Sequence, residues 1–187
     1  MNKILSETAV LKDVTEKLDL ANIPYMLTGS FALGYYVQPR MTRDIDLVVL
    51  IKMEDVNNLM TLFSKDYYVS KDAVMDAISK TSMFNIIHNN GVMKLDFIVR
   101  KKDEYRLVEF ERRKKVLFAD FELFIVSKED LILSKMIWSK DTNSEMQYRD
   151  IISLLLTDLD ETYLNYWVKK LNLEEAWNRI KEYERHQ

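Results

Sequence analysis

Four of the five residues that most strongly shape a backbone fall between Pro24 and Pro39. The chain has only three glycines and two prolines in 187 residues, and Gly29 and Gly34 lie between those two prolines. Glycine permits positive φ and close approach, while proline fixes φ and ends helices, so this stretch must turn sharply more than once. After Pro24, "PYMLT" reads as a short strand. Ser30 to Val37 leaves room for two helical turns before Pro39 stops them. Ile45 to Ile51, "IDLVVLI", is continuous and β-branched, and predicts a strand buried on both faces.

The flanking sequence extends this α+β unit. Apolar residues recur at helical spacing from Ile4 to Leu20, and further helices are predicted near Glu54–Ser64, Lys71–Ser79 and Asp103–Arg112. In "MFNIIHNNGVMKLDFIV" two apolar runs flank Asn89, Asn90 and Gly91, which supply the positive φ of a hairpin turn and place Asp96 on its second strand. A strand near Glu122–Val126 follows. Ser127, with Asp130 three residues on, then caps a helix near Lys128–Ser139. Three more helices are expected near Glu145–Thr157, Glu161–Leu171 and Leu173–Glu184. The division expected is a mixed α/β core over residues 1–126, with its N-terminal helix, and a helical part over 127–187.

Composition removes several functions. No run approaches the ~20 apolar residues of a membrane span, and the start lacks a signal-peptide core, which predicts a cytoplasmic protein with no membrane partner. With no cysteine and only His88 and His186, a bound metal has to be held by oxygen. A net charge of −3 gives no general attraction to nucleic acid. The segment Arg100–Lys115 is locally basic, and reads either as a solvated helix face or as an RNA-facing patch.

The chemistry gathers on aspartates. Residues two apart on a strand point the same way, so Asp44 and Asp46 share a side while Ile45 and Leu47 face the core. Two anions so close, beside apolar neighbours, make sense with a hard divalent cation between them, and Mg²⁺ or Mn²⁺ fits an all-oxygen site. Asp96 brings a third carboxylate, or else pairs with Lys94. Three such acids suit phosphoryl or nucleotidyl transfer. If Ser30 opens the short helix, its free amides and hydroxyl meet a phosphate, and Gly29 lets that phosphate approach. Arg40 and Arg43 read as phosphate contacts or loop charges. Arg149 and Asp150 read as an ion pair joining helix to core. Tyr35, Tyr36, Trp138, Trp167 and Trp177 read as core or interface aromatics.

"GS", thirteen residues, "DID" and a later "LDF" resemble the signature of the nucleotidyltransferase superfamily related to DNA polymerase β. The resemblance implies a mixed β-sheet flanked by helices and followed by a helical part. It places the phosphates of a nucleoside triphosphate on Gly29 and Ser30, metal on Asp44 and Asp46, and acceptor-hydroxyl activation on Asp96. Pro39, Arg40, Thr42, Asp44, Ile45, Asp46 and Leu47, then Lys135 with Arg149 and Asp150, are similar to the abortive-infection type IV toxin branch. That likeness implies nucleotide contacts from Lys135, a tRNA, other RNA or protein acceptor, and a cognate antitoxin. Other superfamily members modify antibiotics. The rival expectation is a catalytically inactive binding protein of the same fold.

Overall fold

A computed structural model describes residues 6–39, 41–42, 44–89, 93–140 and 144–185. The fold is α+β: a seven-stranded mixed sheet with nine α-helices among the described residues. The first half comprises α1 (Glu7–Leu20), β1 (Tyr25–Thr28), α2 (Gly29–Tyr36), β2 (Asp44–Val49), α3 (Val56–Phe63), β3 (Tyr67–Tyr68), α4 (Lys71–Lys80), β4 (Met83–His88) and β5 (Lys94–Val99). The second comprises α5 (Glu104–Glu111), β6 (Lys114–Phe118), β7 (Phe121–Ile125), α6 (Lys128–Ser139), α7 (Glu145–Leu155), α8 (Glu161–Lys170) and α9 (Glu174–Arg185).

Strand order is β3-β4-β5-β2-β1-β7-β6. β1 runs antiparallel to β2, pairing Thr28 with Asp46, and β5 runs parallel to β2, pairing Asp46 with Asp96. The two central strands therefore bring both aspartates to one level of the sheet. Ile45, Leu47, Leu95 and Phe97 are fully buried on the opposite face, where the Phe97 ring meets Phe63 edge-on, and all belong to one continuous core.

Local signals account for most boundaries. Ser6, Ser70, Asp103 and Asp160 each accept a hydrogen bond from the backbone amide three residues on, opening α1, α4, α5 and α8. Ser127 accepts from the Asp130 amide at 3.2 Å and donates to Asp130 Oδ2 at 2.6 Å, so the cap is reciprocal. The β4–β5 hairpin closes with the His88 amide donating to the Met93 carbonyl at 3.1 Å. Asn90 and Gly91 of its expected turn lie outside the described residues, as do Arg40, Arg43 and His186.

Several expectations are corrected. β2 is fully buried on one face only; Asp44 is exposed, and Asp46 and Val48 are half-buried, because their side of the sheet lines a cleft. The basic segment is no single helix face. α5 ends at Glu111, and Lys114 and Lys115 begin the edge strand β6. Three of its eight cations are ion-paired: Arg106 with Glu109, Arg112 with Glu129 and Asp130, and Lys115 with Glu122. Arg149 does not pair with Asp150; it meets Glu145 at 3.6 Å and the Tyr183 hydroxyl at 3.1 Å. Trp138 is 65% exposed on the cleft rim, unlike Trp167, which is buried.

Candidate active site

The site forms where β1 ends, α2 begins, and β2 and β5 lie side by side. Gly29 is the first residue of α2 and has φ +67°, a conformation that L side chains rarely adopt. A Cβ built there would lie 2.0 Å from Asp46 Oδ2 and 2.7 Å from its Cγ. Two independent demands thus fix glycine at position 29: backbone handedness and the Asp46 carboxylate pressed against it. The expected role, room for phosphate, gains a second reason that sequence alone did not show. Gly29→Ala should cost about 1–2 kcal/mol through its backbone alone, and more through displacement of Asp46. Thermal denaturation of the variant checks this, with Gly34→Ala, whose Cβ would meet Pro39 Cβ at 3.1 Å, as the milder comparison.

Ser30 follows on the first turn of α2, half-buried and lining the same cleft. The Thr28 side chain makes no capping hydrogen bond, so the first amides of α2 have no side-chain acceptor from their N-cap. Such a helix start favours an anion through its amides and its dipole.

Burial and the neighbouring Asp96 and Asp44 push the Asp46 carboxyl up from 3.8 to about 6, against the opposing pull of Lys135 and Lys94. Asp96 is buried; it accepts from Asn85 Nδ2 at 2.5 Å and pairs with Lys94 at 3.0 Å. The Lys94 pairing weighed from sequence is therefore present. Asn85 was not foreseen, although it stands directly opposite Asp96 in the β4–β5 register. The Lys94 ammonium pairs with Asp96, which raises its pKa most, and the charges of Asp44 and Asp46 add to that effect. A cation of the chain's own thus stands beside the aspartates.

Lys135 is buried. Its ammonium lies 2.8 Å from Asp150 Oδ2 and 3.2 Å from Gln147 Oε1, joining α6 to α7 while lining the cleft with Gly29, Ser30, Asp46 and Asp96. The structure thus gathers Gly29, Ser30, Asp46, Asp96 and Lys135. It leaves Asp44 at the exposed head of β2, and Arg43 lies outside the described residues.

Among the described residues, no three acidic or histidine side chains are gathered closely enough to enclose a metal ion. The donor set nevertheless fits a hard divalent cation. Asp46 and Asp96 offer adjacent carboxylates that repel one another, the partly exposed Lys94 ammonium already answers part of that charge, and Mg²⁺ commonly takes one or two carboxylates and completes its shell with water and substrate phosphate.

No family model matches the sequence, and no curated protein matches it in sequence. Solved structures do match in fold. An antigenic nucleotidyltransferase-like protein from Paracoccidioides brasiliensis is 20% identical over 89% of each chain, with a TM-score of 0.53. ANT(2″)-Ia in complex with adenylyl-2″-tobramycin is 13% identical over 96% of this chain and 99% of that one, with a TM-score of 0.56. The lincosamide antibiotic adenylyltransferase LnuA, lincomycin-bound, is 13% identical over 81% of this chain and 98% of that one, with a TM-score of 0.53. The fold is that of nucleotidyltransferase-like proteins.

Proposed function

We propose that this protein is a nucleotidyltransferase, moving a nucleoside monophosphate from a triphosphate to an acceptor hydroxyl with Mg²⁺ or Mn²⁺. The observation that carries this is the Asp46–Asp96 pairing on adjacent parallel strands, opening onto the positive-φ start of α2. The amides of α2 and Ser30 hold the triphosphate, and Lys135 adds positive charge from the opposite wall of the cleft. Asp46 binds the cation with Asp44 at the strand head. Asp96, oriented by Asn85, accepts the proton as the acceptor oxygen attacks the α-phosphorus; the P–O bond to pyrophosphate breaks, and pyrophosphate leaves. The cation supplies neutralisation of phosphate charge when bound. What these side chains contribute is positioning and preorganised charge.

The acceptor classes follow from likeness. The toxin-branch motifs favour a tRNA end, another RNA or a protein, with a cognate antitoxin as partner, and the adenylyltransferase neighbours favour an antibiotic. A second reading, an inactive nucleotide-binding protein, draws on the engagement of Asp96 by Lys94 and Asn85. Thermal unfolding with ATP, GTP, CTP and UTP, with and without Mg²⁺, tests both. A ligand at 100 times its Kd adds about 2.7 kcal/mol, so the favoured nucleotide should raise the midpoint only with Mg²⁺, and the shift should vanish in Asp46→Asn. A shift independent of metal and of Asp46 would support binding without transfer.

A further inference from the structure

The sheet face that carries the aspartates continues past them. Asp96, Ile98 and Arg100 alternate onto one side of β5 and its extension, where the Arg100 amide still pairs with the Val49 carbonyl at 2.9 Å. Beside them lies a cavity of about 360 Å³, lined by Val48, Ile98, Ile137, Trp138, Arg100 and Lys101 among others. It shares Thr28, Ile98, Ser134 and Trp138 with the walls of the aspartate cleft, so the two hollows adjoin. Its middle is apolar, with the largely exposed Trp138 indole as one side.

Its far end is cationic. Arg106 there is neutralised by both oxygens of Glu109, at 2.9 and 2.8 Å, and also donates to Ser134 Oγ at 2.6 Å. Arg100 and Lys101 make no ion pair among the described residues. The Arg100 Nε is buried without a hydrogen-bond partner, and its guanidinium lies over the Phe110 ring at 5.5 Å. A buried, unanswered guanidinium nitrogen is costly unless an acceptor reaches it. Four residues of strand separate Arg100 from Asp96, roughly 13 Å at the usual rise.

We infer that this second cavity is an acceptor subsite for a small molecule with a planar apolar body and an anionic carboxylate or phosphate group, its reacting hydroxyl delivered to Asp96. The inference rests on the nucleotidyltransferase reading. The triphosphate belongs at the other end, on Gly29 and Ser30, and a nucleoside base and ribose carry no charge for Arg100 and Lys101 to meet. A cavity of this volume lies in the range of small-ligand pockets. The same two cations disfavour a polyamino acceptor such as an aminoglycoside.

Four naphthalene probes of one shape test the charge rule: 1-naphthyl phosphate, 1-naphthoate, 1-naphthol and 1-naphthylmethylamine, followed by quenching of tryptophan fluorescence with and without saturating ATP and Mg²⁺. The anions should bind at least tenfold tighter than the amine, with naphthol between, and should stay bound alongside ATP. The stronger of the two anions identifies the preferred acid. Arg100→Glu should invert the order, and Lys101→Glu, an exposed change that leaves the fold intact, should narrow it severalfold. Trp138→Ala should weaken all four together and remove most of the quenching. Equal affinities for anion and amine, an order unchanged in both charge variants, or displacement of the anions by ATP would each overturn the acceptor subsite. Loss of the nucleotide reading itself would show separately, as an absence of the Mg²⁺-dependent ATP shift in the wild-type protein.

Discussion

Asp46→Asn should abolish nucleotidyl transfer and, in the metal-free protein, raise stability. Removing a carboxylate from the centre of charge handling should lower the rate by about a thousandfold or more. The stabilisation has the opposite sign because the carboxyl is pushed up to about 6 by burial and by Asp96 and Asp44. A carboxyl raised in the folded state favours folding while protonated, and that contribution is lost as pH rises through its folded pKa. The asparagine variant should therefore match the wild type near pH 4 and exceed it above about pH 6, by on the order of 2 kcal/mol. Urea denaturation in chelator across that window measures it. A variant that is inactive yet less stable at neutral pH would show that Asp46 serves the fold as much as the chemistry.

Lys135→Met should be among the most destabilising single changes in the helical part. It would leave Asp150, 4% exposed, without its ammonium partner at 2.8 Å. Breaking one side of a buried pair costs about 3–5 kcal/mol, whereas replacing both sides with apolar groups is often neutral. Lys135→Met/Asp150→Leu should accordingly recover most of the loss in chemical denaturation. The double variant then isolates chemistry from folding, because its Mg²⁺-dependent nucleotide affinity should fall several-fold once the cation facing Asp46 is gone. Unchanged affinity in a folded double variant would restrict Lys135 to the α6–α7 junction.

These two cases also show where sequence reasoning reached and where it stopped. The glycine turn, the Asp-x-Asp strand and the Asp96 strand were legible because each depends on local periodicity and on residues with special backbone freedom. Most helices in the second half were legible for the same reason, with Ser127 marking one of their starts. β6 was not. Its hairpin turns on Ala119 and Asp120, and Ala119 takes φ 54° without being glycine or asparagine, so the usual turn signal is absent and "KKVLF" reads as an extension of a basic segment.

The partnership of Lys135 with Asp150, rather than of Arg149 with Asp150, is set by which faces of α6 and α7 meet. A helical repeat makes 149 and 150 neighbours in number and puts them on different sides. Of the two readings for Trp138, core or interface, burial removes the first: the indole is exposed and forms part of a cleft wall. Asn85 could be recognised only once the hairpin register was known.

The junction between the sheet and α6 bears on how this chain can be dissected. Val126 and Ser127 are fully buried; the Val126 amide donates to the Leu27 carbonyl at 3.0 Å, and its own carbonyl accepts from the Tyr36 hydroxyl at 2.6 Å. Beyond it, Asp130 is held by Arg112 and by the Tyr163 hydroxyl, and Glu109 by Arg106 and Ser134. A protease meets no loose seam at this crossing, and a fragment ending at residue 126 would carry Asp46 and Asp96 on a bare, half-greasy sheet. Their opposing wall, Leu131, Lys135 and Trp138, comes from the piece cut away. Grafting or exchanging the helical part would accordingly redesign the cleft rather than append to it, which makes the last third of the chain the natural place to look for differences in what such a protein accepts.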